Sequence, residues 1–364
     1  GLIFTAFGAA IIFHSYGVVP LALIALTALI FHTLNHALFK SLLFLSVGSI
    51  VLETGTANME KHGGLIKRMP RTAIAFLLAA LAISAFPPLN GFMSEWLLLQ
   101  SLFGGVLAQD LFVKSLFIFA IMLVVLASGL TLLAFAKAFG VSFLARPRSK
   151  ESASAHEAEG GMQMSYLFVG TCILLLGIGA HFVVPMIQTV AETIGGTTFA
   201  QPVTTISQPD GSIALAPVLV PSLQMLSFSV LLILVFLMVF LFIRSVTRGR
   251  RVVLAETWDC GYPLSQKSEI TWTAFSRSIA MIFKRIAGVG KYVTAKELVH
   301  GNPYFITKHA SVDIADYAVT YLYRPLTHVT IFLGAQMKKV QNGVVNAYVL
   351  YILFALITLV IIYL

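Results

Sequence analysis

The sequence predicts an all-α, polytopic membrane protein in which one transmembrane helix is broken near residues 87–91. Composition carries the first part: mean hydropathy is +0.90, with 58% hydrophobic and 11% charged residues, where a soluble domain carries roughly 25% charge. Apolar runs long enough to cross a bilayer recur along the chain and carry the second. The third observation is FPPLNG, Phe86 to Gly91, which interrupts one of these runs.

In order, the spans are Gly1–Phe13, Val18–Leu52, Arg71–Phe86, Gly91–Ala108, Leu111–Leu144, Met164–Pro185, Gln224–Arg244 and Ala347–Leu364. Between them lie a basic loop over 54–70, a mixed-charge linker over 145–163, a polar loop from Ala191 to Pro221 and a semi-polar segment from Thr247 to Asn346. The chain therefore divides into 1–145, a linker with two further spans over 146–246, a surface or lateral helical segment over 247–346, and a final span over 347–364. It lacks an initiator Met and opens inside an apolar run with no charged leader, which reads as the C-terminal part of a longer protein.

The positive-inside rule orients these spans and argues for the break. Arg244, Arg248, Arg250 and Arg251 put the end of the Gln224 helix on the cytoplasmic side, whereas 186–223 has acidic residues but no Lys or Arg and falls outside. Arg146, Arg148 and Lys150 then fall inside. Lys61, Lys67 and Arg68 do so only if Arg71–Phe86 and Gly91–Ala108 are two halves of one crossing. Pro87 and Pro88 remove two backbone donors and Gly91 permits an irregular turn, so the break is placed there. Unwound backbone at membrane depth is tolerated inside protein or beside water, which also makes the break a functional pointer.

Candidate site residues are the titratable groups inside the spans. His32, His36 and Lys40 recur every four residues, a single helical stripe with Asn35 on its edge. Ionisable residues inside a membrane normally face the bundle interior or water, and a line of exchangeable groups bridged by water is a route for protons. Glu95 lies four residues after the break, where the helix dipole favours a carboxylate and Asn90 is a candidate N-cap. Lys137 is a weaker candidate for the end of the route, since a lysine near a helix end can snorkel to the surface. Lys114, His14 and His181 sit near span ends and read as interface residues.

Several functions are excluded. Cys172 and Cys260 form no CxxC pair, so any redox centre belongs to another subunit. No metal site, phosphate loop or hydrolase triad is expected, and the net charge of +9 reflects basic loops on one membrane face, not nucleic-acid binding. FSRSIAMIFKRIAGVGK, Phe275 to Lys291, has the pattern of a helix lying along the membrane surface, and Asp313–Lys339 reads as a second long run broken at Pro325.

HTLNHALFKSLLFLSVGSIVLETGT, MEKHGGLIKRMPRTA and ALAISAFPPLNGFMSEWLLLQSL together resemble the hydrogenase-4 component B and formate hydrogenlyase membrane-subunit family, within the wider group of complex I and Mrp antiporter-like subunits. WDCGYP, Trp258 to Pro263, is similar more loosely. The resemblance implies an antiporter-like helix bundle in which this chain holds the end of the second inverted repeat and the C-terminal helices. It implies a proton/ion pathway through His32, His36, Lys40 and Glu95, and no cofactor in this chain, NiFe and iron–sulfur centres being expected on partner subunits. Implied partners are the other membrane and peripheral subunits of a hydrogenase or complex I-like assembly, the lipid bilayer, and protons or Na+, in the cytoplasmic membrane of a prokaryote. A Mrp-like Na+/H+ antiporter subunit and an inert scaffold arm remain as alternatives.

Overall fold

The computed structural model describes residues 1–108, 110–196, 221–248, 269–272, 275, 289–298, 306–314, 318–340 and 345–363. Expectations on WDCGYP, and on most of the surface helix begun at Phe275, lie outside the described residues. Two units are present, Gly1–Thr273 and Ala274–Leu364.

The first unit holds α1 (Leu2–Ser15), α2 (Val19–Thr54), α3 (Pro70–Ile83), α4 (Asn90–Gly105), α5 (Leu111–Phe143), α6 (Lys150–Ser154), α7 (Gly160–Ile178), α8 (Ala180–Gly195) and α9 (Pro221–Thr247). Local chemistry sets the ends. Proline occupies the first turn of α2 and of α3, where no donor is lost, and Gly55 closes α2 at φ 66°. Asp110 starts α5 by accepting from the amides of Phe112 and Val113. By length and composition α2, α5 and α7 are each able to cross a membrane.

Helices α3 and α4 form one broken crossing that runs antiparallel to α2. Leu78 and Leu42 both reach Gly170 of α7; Asn90 bonds Asn35; Ser94 bonds His32; and Leu21 packs on Gly104. Partners on α2 thus descend from 42 to 21 while those on α3–α4 climb from 78 to 104. With 14 and 16 residues, the halves extend about 45 Å in all. The break itself covers Ser84–Leu89 and so contains Pro87 and Pro88. Gly91 does not belong to it: it lies in the first turn of α4, where its missing side chain lets that turn rest on the carbonyl of Ala82.

A second interruption faces the first. The expected span Met164–Pro185 is two helices, α7 and α8, separated at Gly179, and helix continues to Gly195, past the expected start of the polar loop. A Cβ on Gly177 would lie 2.6 Å from the carbonyl oxygen of Pro88, so the α7 end and the break meet backbone to backbone.

Two apolar clusters stack along the bundle. One gathers Phe13, Ala28, Phe31, Met93, Leu97 and Phe117. The other gathers Phe39, Leu42, Phe76, Ala82, Leu89 and Phe143. Between them lies a polar layer containing His32, Asn35, Asn90, Ser94 and Glu95, all buried. His36 is at the midpoint of α2, Ser128 near that of α5, and Gly177 near that of the α7–α8 pair, so the layer sits at half-height.

At one end of the bundle the loops after α2 and α5 meet the segment Glu269–Trp272. Gly64 donates its amide to Leu144, Ser152 bonds the carbonyl of Lys61, and Arg146 donates its amide to Glu269. Glu157 accepts from the amides of Arg71 and Thr72 and from the Thr72 hydroxyl, capping α3, whose own N-cap Met69 offers no side-chain acceptor. Glu157→Ala is expected to lower stability by about 1–2 kcal/mol, the size of a lost helix cap. Thermal unfolding of the solubilised complex measures this, and an unchanged midpoint would show that the cap is not needed.

The expectation of a helical segment over 247–346 is corrected at residues 289–298 and 306–314 of the second unit. Strands β1 (Val289–Leu298) and β2 (Ile306–Ile314) pair antiparallel, from Leu298 opposite Ile306 to Val289 opposite Ile314. β-Branched and aromatic residues such as Tyr292, Val293, Thr294, Ile306, Thr307 and Val312 favour strand over helix here. The proposed Asp313–Lys339 run accordingly starts inside β2. It continues as a π-helical turn, Ala318–Tyr323, and then α10 (Arg324–Val340), in whose first turn Pro325 begins a helix where a break was expected. Helix α11 (Val345–Tyr363) ends the described chain.

Candidate functional site

Helix α2 presents the stripe as its spacing requires. The His32 and His36 rings lie 6.3 Å apart, and Phe39 meets both edge-on at 6.2 and 5.4 Å. His32 is buried, while His36 and Lys40 are half-buried. Lys40 lies eight residues beyond His32, about 12 Å along the axis, so His32 is the member of the stripe that adjoins α4.

The link across to α4 runs through Ser94, whose Oγ lies 2.9 Å from His32 Nδ1. That hydroxyl also reaches the carbonyls of Asn90 and Gly91 at 3.3 and 3.1 Å. When it donates to either carbonyl, His32 Nδ1 carries the hydrogen and Nε2 is left as the acceptor. Rotating the hydroxyl towards His32 reverses both roles. Beside this pair, Asn35 donates to the Asn90 carbonyl at 2.9 Å and accepts from the Asn90 amide group at 3.2 Å. Asn90 is therefore a bridge between helices and not the N-cap of α4, a position held by Leu89 without a side-chain bond.

Glu95 is buried next to Ser94, and Ser128 of α5 donates its hydroxyl to Glu95 Oε1. As the sixth residue of α4, Glu95 is beyond the first turn, where the helix dipole acts. Its support comes from α5 across the bundle. Lys137, further along α5, is 8% exposed and its ammonium lies 3.4 Å from the centroid of the Trp272 ring. It does not snorkel.

The structure thus joins His32, through Ser94, to the α4 turn that carries Glu95, and keeps His36 and Lys40 on the same α2 stripe. Lys137 stands apart, nine residues and about 14 Å along α5 from Ser128. Pro87 and Pro88 lie in the break just before this layer, and Gly91 lies within it. Sequence reasoning missed Ser94, Ser128 and the Asn35–Asn90 bridge; the only signal was hydroxyl and amide side chains inside apolar runs. Among the described residues no three His, Cys, Asp or Glu groups gather as a metal site. Arranged in this way, the groups can pass a proton by hydroxyl rotation and by gain and loss at imidazole and carboxylate.

At the loop end, His62 is 4% exposed, with Nε2 donating to the Thr56 carbonyl at 3.0 Å and Nδ1 buried without a hydrogen-bond partner. Burial pushes its pKa below the ordinary 6.5 and the Arg148 guanidinium adds to this, while the bond to Thr56 opposes it. The folded loop then binds fewer protons than the open one, so its stability is full above pH 6.5 and falls as pH drops through the depressed value. The hydrogen-exchange protection of residues 56–64, taken relative to the intrinsic amide rate at each pH, is expected to fall on acidification in wild type and to lose this His62-dependent fall in His62→Gln. Equal pH dependence in both would dismiss His62 as the cause.

Residues 14–124 match the family model described as NADH:quinone oxidoreductase/Mrp antiporter, TM. The chain is 29% identical to hydrogenase-4 component B of Escherichia coli (strain K12), over 99% of its own length and 53% of the relative's. It is 31% identical to formate hydrogenlyase subunit 3 of the same organism, over 77% and 43% respectively. The chain spans about half the length of these curated relatives. A chain from the structure of the membrane-bound sulfane sulfur reductase, an archaeal respiratory membrane complex, shares the fold at TM-score 0.50 and 18% identity, over 99% of this chain and 55% of that one. The matched residues 14–124 contain His32 to Lys40 on α2 and Asn90 to Glu95 on α4, so the part of the chain that carries the polar layer is the part similar to the NADH:quinone oxidoreductase/Mrp antiporter membrane family, and the chain as a whole is similar to hydrogenase-4 component B and formate hydrogenlyase subunit 3.

Proposed function

We propose that the chain is part of a proton- or cation-translocating membrane subunit of a NiFe hydrogenase, formate hydrogenlyase-type or complex I-like respiratory complex, in which electron transfer in partner subunits drives ion movement. The observation that carries this reading is the buried polar layer at half-height, with titratable groups on α2 and α4 beside a broken crossing. Such groups in a bilayer mark ion pathways. Protons move along Lys40, His36 and His32, pass the Ser94 hydroxyl, and reach Glu95 through water at the Ser84–Leu89 break. Glu95 loads and releases the proton against Ser128. In this reading the NiFe and iron–sulfur centres belong to partner subunits.

The subunit lies in the cytoplasmic membrane of a prokaryote, with segments 54–70, 145–163 and 247–346 inside and 186–223 outside, following their basic and acidic residues. The full-length parent complex in sealed vesicles tests the function. Adding the electron donor is expected to drive ionophore-sensitive proton uptake, and varying Na+ names the coupled ion. Electron transfer at full rate with neither proton nor Na+ movement would overturn the reading and leave a scaffold arm.

A further inference from the structure

Resting on the translocation reading, we propose that the strap Glu269–Trp272 is a lid that shuts the end of the ion route at Lys137. Three attachments hold it, two of them through Arg148. The Trp272 ring covers the Lys137 ammonium at 3.4 Å. The Glu269 carboxylate accepts the Arg146 amide at 3.0 and 3.1 Å and lies 3.8 Å from the Arg148 guanidinium. Arg148 also reaches the Ile270 carbonyl at 3.4 Å while its other nitrogen holds the carbonyls of His62 and Val141 at 2.9 and 2.8 Å.

The position of the strap gives it that role. Lys137 is the buried cation of α5 nearest the loop end of the bundle, in the turn that carries Phe135 and Phe139. Trp272 packs against the same apolar cluster, and Glu60 acts on Lys137 electrostatically from the adjoining loop. An indole face is a strong cation–π partner and at the same time an apolar plug, so one side chain both holds the ammonium and excludes water from it. The Glu269 tether is ionic, with its side chain 19% exposed and that of Arg148 7% exposed. Releasing this ion pair frees the strap without unfolding the bundle. Opening the lid gives Lys137 to the aqueous side, and closing it prevents back-flow when no electron transfer is under way.

The test labels lysines of the assembled full-length complex with a membrane-impermeant sulfosuccinimidyl ester and follows Lys137 by mass spectrometry, with passive proton permeability of the vesicles measured in the absence of electron donor. Trp272→Ala is expected to raise the Lys137 labelling rate about tenfold, the population shift that corresponds to about 1.4 kcal/mol of lost cation–π contact, and to raise passive permeability. Trp272→Phe keeps an aromatic face and is expected to stay within about twofold of wild type. Glu269→Gln leaves the ring and loosens the tether, so it labels between the two. It also carries the test if Trp272→Ala does not assemble.

Unchanged labelling in assembled Trp272→Ala or in Glu269→Gln overturns the lid. So does a Trp272→Phe rate equal to that of Trp272→Ala, which would make the effect one of packing alone. Raised labelling in a complex that moves no ions on electron transfer would leave the lid standing and sink the translocation reading. Unchanged labelling in a complex that does pump would do the reverse.

Discussion

Glu95→Gln is expected to abolish driven proton uptake in a complex that still assembles and still transfers electrons. The amide keeps the shape and can still accept from Ser128, so the packing between α4 and α5 survives. What is lost is the ability to take up and release a proton, a loss that lowers proton-transfer rates by about 100-fold or more. Ser128→Ala removes the hydroxyl that donates to this carboxylate and is expected to reduce uptake by about tenfold, the scale of a hydrogen bond to a charged group. Uptake and electron transfer are measured in parallel on the same vesicles. Full stoichiometry in Glu95→Gln would make Glu95 a structural residue and move the route elsewhere in the complex.

Gly91→Ala is expected to be the most disruptive small substitution in the bundle. An added methyl at this position would overlap the carbonyl of Ala82, a backbone atom that cannot rotate away. The two halves of the broken crossing must then separate, at a cost of about 3 kcal/mol or more. The separation would also pull Asn90 from Asn35 and Ser94 from His32, so ion movement falls with stability. Gly177→Ala acts from the opposite side, against Pro88 and the Asn90 amide at 2.6 and 2.9 Å. Gly48→Ala is the control: it lies in α2 with nothing within 4 Å of the added carbon. It is expected to be neutral or up to about 1 kcal/mol stabilising through helix propensity. Yield and thermal unfolding of the three variants check this, and a well-behaved Gly91→Ala would show that the break is not closely packed.

The contrast between these glycines illustrates how much was legible beforehand. The apolar runs fixed where α1 to α5 begin and end to within about three residues, because length and hydropathy are local properties read directly from the chain. Pro87 and Pro88 marked the interruption for the same reason, since a missing donor breaks a helix wherever it sits. The four-residue spacing of His32, His36 and Lys40 likewise determined that they share a face. A local pattern also misled. The apolar periodicity after Phe275 was extended to Lys291, although the residues from Val289 onward are strand formers that gain a partner only when β2 returns alongside.

By itself, then, the sequence determined that this is a membrane helix bundle, that one crossing is broken, and that titratable groups line one side of α2. Only the tertiary structure decided what those groups meet. Ser94 is 62 residues from His32, Ser128 is 33 from Glu95, and Arg146 is 123 from Glu269. Nothing periodic in the chain encodes such pairs. They are set by the order in which antiparallel helices stack, and by the two backbone contacts, Gly91 on Ala82 and Gly177 on Pro88, that bring the two helix interruptions to the same height.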